Sequence, residues 1–269
     1  MMQPTQPIAL TIAGLDPSGG AGIIADIRTF VHFGVRPAAA ITSLTFQNAE
    51  RIFGATHETA DSLRAQILPV VEEGRIAAVK IGMLPTAELV LEIARLLTET
   101  DLPAPIVDPV LESTSGYTLM EKEAVEAMVT DLLPLARLLT PNIPEAEMLT
   151  GLQIADEADM REAAAMIRAM GAQAVLIKGG HLNNEPERCA IDLLDGEEDV
   201  KVLRGEWIES SPVRGTGCIL SSAVAACLAR GMSLEESVVA GKEFVAETIR
   251  CDAGLTQRVA SDSANTGWR

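Results

Sequence analysis

The stretch Ile8-Ala9-Leu10-Thr11-Ile12-Ala13 followed by Gly14-Leu15-Asp16-Pro17-Ser18-Gly19-Gly20-Ala21-Gly22 decides the fold. Six residues, almost all apolar, have the length of a buried strand. A glycine loop follows, then apolar residues at helical spacing from about Gly20 to Phe33. The same strand-to-helix exchange recurs downstream. Strands are expected at Ala38–Thr45, Ala77–Ile81, Pro105–Val107, Leu138-Leu139 and Ala174–Ile177. Helices are expected at Ser62–Val71, Thr86–Thr98 and Glu121–Leu132, then from Asp156 as N-cap to Met170, from Gly215 to Arg230, and from Ser233 as N-cap to about Arg250. Repeated alternation of this kind predicts an α/β fold, a mostly parallel central sheet with helices on both faces. Cys189–Leu194 and Val200–Ile208 flank Asp195-Gly196 and read as an antiparallel hairpin added late. With no internal repeat and no linker rich in Pro, Gly or Ser, residues 1–269 read as one domain, ending in a polar tail, 252–269, expected to be poorly ordered.

Composition narrows the function. The formal net charge of −17 opposes nucleic acid as a partner, since phosphate backbones need clustered Lys and Arg. A small anionic substrate is still allowed, because it responds to local cations. The four cysteines lie far apart without a C-x-x-C pair, so neither a zinc site nor a disulfide framework is expected. The polar first residues carry no basic segment ahead of an apolar one, and no charge-free run reaches 18 apolar residues. The expectation is a cytoplasmic enzyme with no membrane partner.

The polar residues collect where strands end: Gly14-Leu15-Asp16, Gln47-Asn48, Gly82-Met83, Asp108-Pro109, Thr140-Pro141-Asn142 and Lys178-Gly179-Gly180. In an open parallel sheet the ligand crevice lies outside those carboxyl ends. Gly20-Ala21-Gly22-Ile23-Ile24-Ala25 formally satisfies G-x-G-x-x-A, but the second strand closes at Thr45-Phe46-Gln47-Asn48 without the acid a dinucleotide ribose requires. The glycines serve equally as a turn that packs a helix on a strand. Arg214-Gly215-Thr216-Gly217-Cys218 opens an apolar helix, and free N–H groups there make an anion site. A thiol in such a first turn is expected to have a lowered pKa. Asn142-Ile143-Pro144-Glu145 admits two readings: a helix cap, or oxygen ligands for hydrated Mg²⁺. Lys178 reads as a snorkelling lysine or a phosphate contact. No G-x-x-x-x-G-K-[ST] motif is present.

Together these pieces resemble the hydroxymethylpyrimidine/phosphomethylpyrimidine kinases of thiamine biosynthesis, within the ribokinase-like superfamily. The resemblance is carried, in family order, by TIAGLDPSGGAGIIADIRTF (Thr11–Phe30), ITSLTFQN (Ile41–Asn48), KIGML (Lys80–Leu84), VDPV (Val107–Val110), LLTPNIPEAEML (Leu138–Leu149), VLIKGGHL (Val175–Leu182) and GTGC (Gly215–Cys218). It implies a ribokinase-like fold and an ATP- and Mg²⁺-dependent kinase. Such an enzyme phosphorylates 4-amino-5-hydroxymethyl-2-methylpyrimidine on its hydroxyl and then on the resulting phosphate. By the same resemblance the pyrimidine lies near Gly14, Asp16, Ala21, Asp26, Gln47, Met83 and Val110. Gly215, Thr216 and Gly217 form the anion hole, with Cys218 as base. Asn142 and Glu145 organise Mg²⁺, Asp108 supports the metal and phosphates, and Lys178 meets nucleotide phosphates. A homodimer is also implied. Arg214 is not part of the resemblance; its planar fork is expected either to join the nucleotide-binding residues by holding phosphate in the second step or to pair with surface carboxylates. The chain departs from the family pattern at Arg214, where histidine is usual, and at Ile24, Phe46 and Tyr117. Two alternatives stand beside this reading: a vitamin B6 kinase of the same superfamily, which Gln47 opposes, and a non-catalytic metabolite sensor.

Overall fold

In the computed structural model, residues 6–113, 116–180, 189–196, 199–209 and 213–254 are described. Nine strands form one sheet. They are β1 (Ile8–Leu15), β2 (Arg36–Gln47), β3 (Ile52–His57), β4 (Ile76–Ile81), β5 (Ile106–Val107), β6 (Leu138–Leu139), β7 (Val175–Gly179), β8 (Cys189–Asp195) and β9 (Val200–Glu206). Their spatial order is β3-β2-β1-β4-β5-β6-β7-β8-β9. From β2 across to β7 every pairing is parallel, while β3, β8 and β9 add antiparallel edges. The expected mostly parallel sheet and the β8–β9 hairpin are therefore present.

Among the described residues eight α-helices cover the sheet: α1 (Gly22–His32), α2 (Ala60–Glu73), α3 (Ala87–Glu99), α4 (Lys122–Ala127), α5 (Ile143–Thr150), α6 (Glu157–Ala169), α7 (Thr216–Ala229) and α8 (Leu234–Asp252). Strand periodicity divides their cores. Leu10, Val107, Leu139 and Val175 face one layer, together with α2, α3 and α6 residues such as Leu63, Ile93 and Ile167. Their neighbours Ala9, Ile106, Leu138, Ala174 and Leu176 face the other, against Phe30 of α1 and Val224 of α7. Because α7 lies between the sheet and α8, it is apolar nearly all round and rich in small residues. Asp156 and Ser233 form the expected N-caps, each in a reciprocal capping box.

Two expectations change. The helix over 121–132 is α-helical only as α4. It widens into a π turn at Met128–Leu132 and then tightens at Leu133–Leu135, where Pro134 has no N–H to continue the ladder. Strand β3 was not expected. Its residues Ile52–His57 alternate poorly, and it is defined by pairing with β2. Most of the tail expectation, from residue 255 on, lies outside the described residues, as do His181 and Leu182.

One buried ion pair ties the sheet to α1 and α7 on one of its faces. Lys80 of β4 and Asp26 of α1 have fully buried side chains, with Lys80 Nζ 2.9 and 3.1 Å from the two carboxylate oxygens. Thr11 of β1 donates to Asp26 Oδ2 at 2.6 Å, and Ser222 of α7 donates to Oδ1 at 2.6 Å. Four elements therefore meet on one carboxylate. Lys80→Met leaves Asp26 buried without its cation and is expected to lower stability by about 3–5 kcal/mol in urea unfolding. Combining it with Asp26→Leu is expected to recover much of that loss.

Candidate active site

Two glycine turns set the centre of the site. Gly22 has φ +57°, and a Cβ there would lie 2.3 Å from the Gly14 carbonyl oxygen. Gly215 has φ +75°, and a Cβ there would lie 2.2 Å from the Gly20 carbonyl oxygen. No other residue permits both the left-handed backbone and the approach. The Gly215 turn is thereby seated on the loop before α1, which places the N-termini of α1 and α7 side by side. Neither N-cap, Ala21 or Gly215, makes a side-chain cap hydrogen bond. First-turn N–H groups and two helix dipoles thus face one cleft.

The cleft has a volume of about 1430 Å³ and runs along the carboxyl ends of the parallel strands. Over β2, β1 and β4 its wall holds Gly14, Asp16, Ala21, Gln47, Met83 and Val110. At the centre stand Asp108, Asn142, Glu145, Lys178 and the 215–218 turn. Over β8, β9 and α8 the wall carries apolar Leu203, Trp207, Ile208, Val239 and Ala246 together with charged side chains such as Arg204, Lys242 and Glu243.

The central charges are interlocked. Lys178 Nζ donates to Asp108 Oδ1 at 2.8 Å, and Thr140 donates to the same oxygen at 3.0 Å. Burial by itself would raise the Asp108 pKa, but Lys178 and Lys80 outweigh it and hold this carboxyl below its ordinary range. Lys178 itself is pushed up, since Asp108 and Glu145 overcome its burial. A Cβ at Gly217 would stand 3.1 Å from Lys178 Nζ, so the missing side chain leaves that ammonium access to the turn.

Asn142 and Glu145 close a reciprocal cap on α5. Asn142 Oδ1 accepts from the Glu145 N–H and Glu145 Oε2 accepts from the Asn142 N–H, each at 2.8 Å. The capping role is therefore formed. Glu145 is nevertheless buried in the cleft wall, and burial raises its pKa to about 7, with nearby Asp108 adding to the rise and Lys178 opposing it. Among the described residues no group of three or more His, Cys, Asp or Glu is set to hold a metal ion. That donor set suits a largely hydrated Mg²⁺ shared with substrate phosphates, rather than an all-protein cage.

Three sequence expectations are corrected. Asp26 does not line the cleft; all of its hydrogen-bonding capacity described above is directed into the core. Cys218 does not have a lowered thiol pKa. Burial pushes it up, Lys80 pulls the other way, and Asp108 and Asp26 add to the rise. Arg214 is held at the polar end of the cleft, away from the Asp108–Lys178 pair at its centre. Its guanidinium donates to Asn48 O at 2.7 Å and Gln47 Oε1 at 3.0 Å, and lies 3.7 Å from Asp16 Oδ2. Asp16 meanwhile shapes its own loop by accepting from Ser18 and the Ala21 N–H.

Lys80 was missed as a residue of the cleft wall, although a lysine inside an apolar strand is itself a signal of a buried partner. The apolar side chains over β9 and α8 were also missed. In the sequence, Val200–Ile208 reads as part of an ordinary hairpin.

The protonation of Glu145 has a stability consequence. Between about pH 4.5 and 7 the folded chain retains a proton that the unfolded chain releases, so stability from this group falls as pH rises through that window. Glu145→Gln keeps the acceptor for the Asn142 N–H. It is expected to be more stable than the parent by about 1–3 kcal/mol at pH 8 and indistinguishable from it at pH 4. Chemical unfolding at the two pH values checks this.

Residues 16–261 match the family described as phosphomethylpyrimidine kinase. The hydroxymethylpyrimidine/phosphomethylpyrimidine kinase of Streptomyces coelicolor is 43% identical over 98% of this chain and 96% of its own length. The crystal structure of phosphomethylpyrimidine kinase from Clostridium difficile superposes with a TM-score of 0.80 at 40% identity, covering 91% of this chain and all of that one. The Staphylococcus aureus pyridoxal kinase, in complex with AMP-PCP and pyridoxal, gives a TM-score of 0.82 at 32% identity, covering 92% and 89%.

Proposed function

The chain belongs to the phosphomethylpyrimidine kinase family, and we propose from that premise how its cleft divides the work. The activity is ATP-dependent phosphorylation of 4-amino-5-hydroxymethyl-2-methylpyrimidine and then of its monophosphate, in thiamine biosynthesis. The observation that carries the residue assignment is the pairing of the α1 and α7 N-termini between a polar end of one cleft and an end carrying the apolar β9–α8 side chains.

In this reading the pyrimidine binds at the polar end, against Gly14, Asp16, Ala21, Gln47, Met83 and Val110. The adenine lies against the apolar side chains of the β9–α8 wall, with its phosphates directed at Lys178. The γ-phosphoryl group passes over the N–H groups of Gly215, Thr216 and Gly217. Phosphoryl transfer has a loose transition state with charge on its peripheral oxygens, so fixed dipoles and cations supply most of the rate. The same hole serves the second step, whose acceptor is anionic, because two helix N-termini and Lys178 offset the added charge. Mg²⁺, when bound, would supply positive charge against the phosphates. Glu145 would hold it through water, with Asn142 fixing that carboxylate, and Asp108 supporting Lys178.

Cys218 sits in the first turn of α7 and accepts the hydroxyl proton late in transfer. The acceptor is the thiolate: a raised pKa keeps its resting population small but makes it a stronger base for that proton. The nine-stranded sheet and its helices act as one kinase domain, in the cytoplasm where ATP is held. The exposed apolar side chains Leu44, Phe46 and Phe53 on β2 and β3 form the contact of a homodimer. Phe46→Glu is accordingly expected to halve the mass measured by light scattering.

The reading is tested by ADP release with the hydroxymethylpyrimidine, its monophosphate and pyridoxal side by side. Both pyrimidines are expected to be turned over, with pyridoxal the poorer acceptor. Cys218→Ala is expected to reduce kcat by about 10²–10⁴-fold while sparing nucleotide affinity. Because the parent thiol must be unprotonated to act, parent kcat rises from pH 7 to 9, and the variant loses that slope. Near-normal turnover by Cys218→Ala would leave Cys218 as packing.

A further inference from the structure

Arg214 and Gln47 are joined in a hydrogen-bond relay whose direction is fixed at both ends. Arg214 Nη2 can only donate, and it meets Gln47 Oε1 at 3.0 Å. At the other pole, Gln47 Nε2 donates to Thr45 Oγ1 at 2.8 Å, and Thr45 Oγ1 donates its single hydrogen to the Leu15 carbonyl at 2.8 Å. A carbonyl oxygen can only accept, so Thr45 has only lone pairs to offer the amide. Turning the Gln47 amide over would set its NH₂ against the guanidinium and its carbonyl against a lone pair. The guanidinium is itself anchored, by Asn48 O at 2.7 Å, Ser18 Oγ at 3.4 Å and the nearby Asp16 carboxylate.

We propose that Arg214 is a specificity-determining residue that locks the polarity of the Gln47 amide toward the bound ring. The locked amide keeps one N–H and one acceptor direction for the cleft, side by side and in fixed order. That pattern complements a ring edge with an amino group beside a ring nitrogen. It does not complement an edge of reversed order, an oxo group beside a ring N–H. An amide free to rotate could pair with either edge, and the distinction would be lost. The proposal rests on the pyrimidine kinase reading and adds the group that enforces its selectivity.

The test compares the 4-aminopyrimidine substrate with its 4-oxo analogue, whose edge carries a carbonyl beside a ring N–H. Affinity is measured by calorimetry and turnover by ADP release. In the parent the amino compound is expected to be preferred. Arg214→Met should erode that preference about tenfold, chiefly through a raised KM for the amino compound, while KM for ATP moves less than twofold. Arg214→Lys carries the charge but only one reach, to Gln47 or to Asn48, and should restore part of the preference. This variant also decides the matter if Arg214→Met does not fold. Gln47→Ala should remove the preference in the parent and add little in the Arg214→Met background. Equal losses for both pyrimidines, or additive effects of Arg214→Met and Gln47→Ala, would overturn the proposal and leave Arg214 as a loop tie. If the parent turned over neither pyrimidine, the kinase reading itself would fail. Parent turnover with an unchanged preference in Arg214→Met would sink only the inference about Arg214.

Discussion

The contact between Lys80 and Asp26 is the constraint on which the rest of the structure depends. Both groups are fully buried, and removing such charges from water costs several kcal/mol each unless their geometry is good. Here the geometry is completed by Thr11 and Ser222, so β1, β4, α1 and α7 are held to one carboxylate. Apolar packing alone would let α7 slide along the sheet, because its small side chains offer few distinct knobs. A buried pair with directed hydrogen bonds permits one position. That position seats Gly215 on the Gly20 carbonyl and brings two helix N-termini to the same point.

Electrostatics at this point are balanced. In a chain of net charge −17, an anion would be repelled unless local cations and dipoles outweighed the whole. The cleft supplies Lys178, Lys80 and uncapped N–H groups, yet each of the two lysines is paired with a carboxylate, Asp108 or Asp26. These pairs hold the site together without excess positive charge. Glu145 titrates near neutrality because burial and Asp108 resist its ionisation, so a cation arriving with a phosphate would compete with a proton. The Cys218 thiol is raised for the same reason: dense surroundings and two nearby carboxylates outweigh Lys80 and the Gly22 N–H. Position in a first turn is thus an insufficient guide to thiol acidity.

The polar end of the cleft is ordered by side chains that satisfy one another. Asp16 draws in Ser18 and the Ala21 N–H, and Arg214 spans from α7 to the end of β2. A loop rich in glycine would otherwise lose much entropy on ligand binding. Ordering it beforehand lets the ring meet a finished surface.

Local signals in the sequence determined the alternation of strands and helices, the caps at Asp156 and Ser233, the glycine turns, and the gathering of Asp16, Gln47, Asp108, Asn142 and Lys178 at strand ends. These depend on periodicity, turn stereochemistry and the rule that crevices open at carboxyl ends, all of which act over a few residues. Strand β3 was not legible, because it is defined by a partner rather than by its own pattern. The inward turn of Asp26, the raised thiol of Cys218 and the attachment of Arg214 to Gln47 were not legible either. Each is a contact or a burial between segments far apart in the chain: 54 residues for Lys80 and Asp26, and 167 for Arg214 and Gln47. Side-chain direction, desolvation and partner choice exist only once such segments meet, and so the tertiary structure alone decided them.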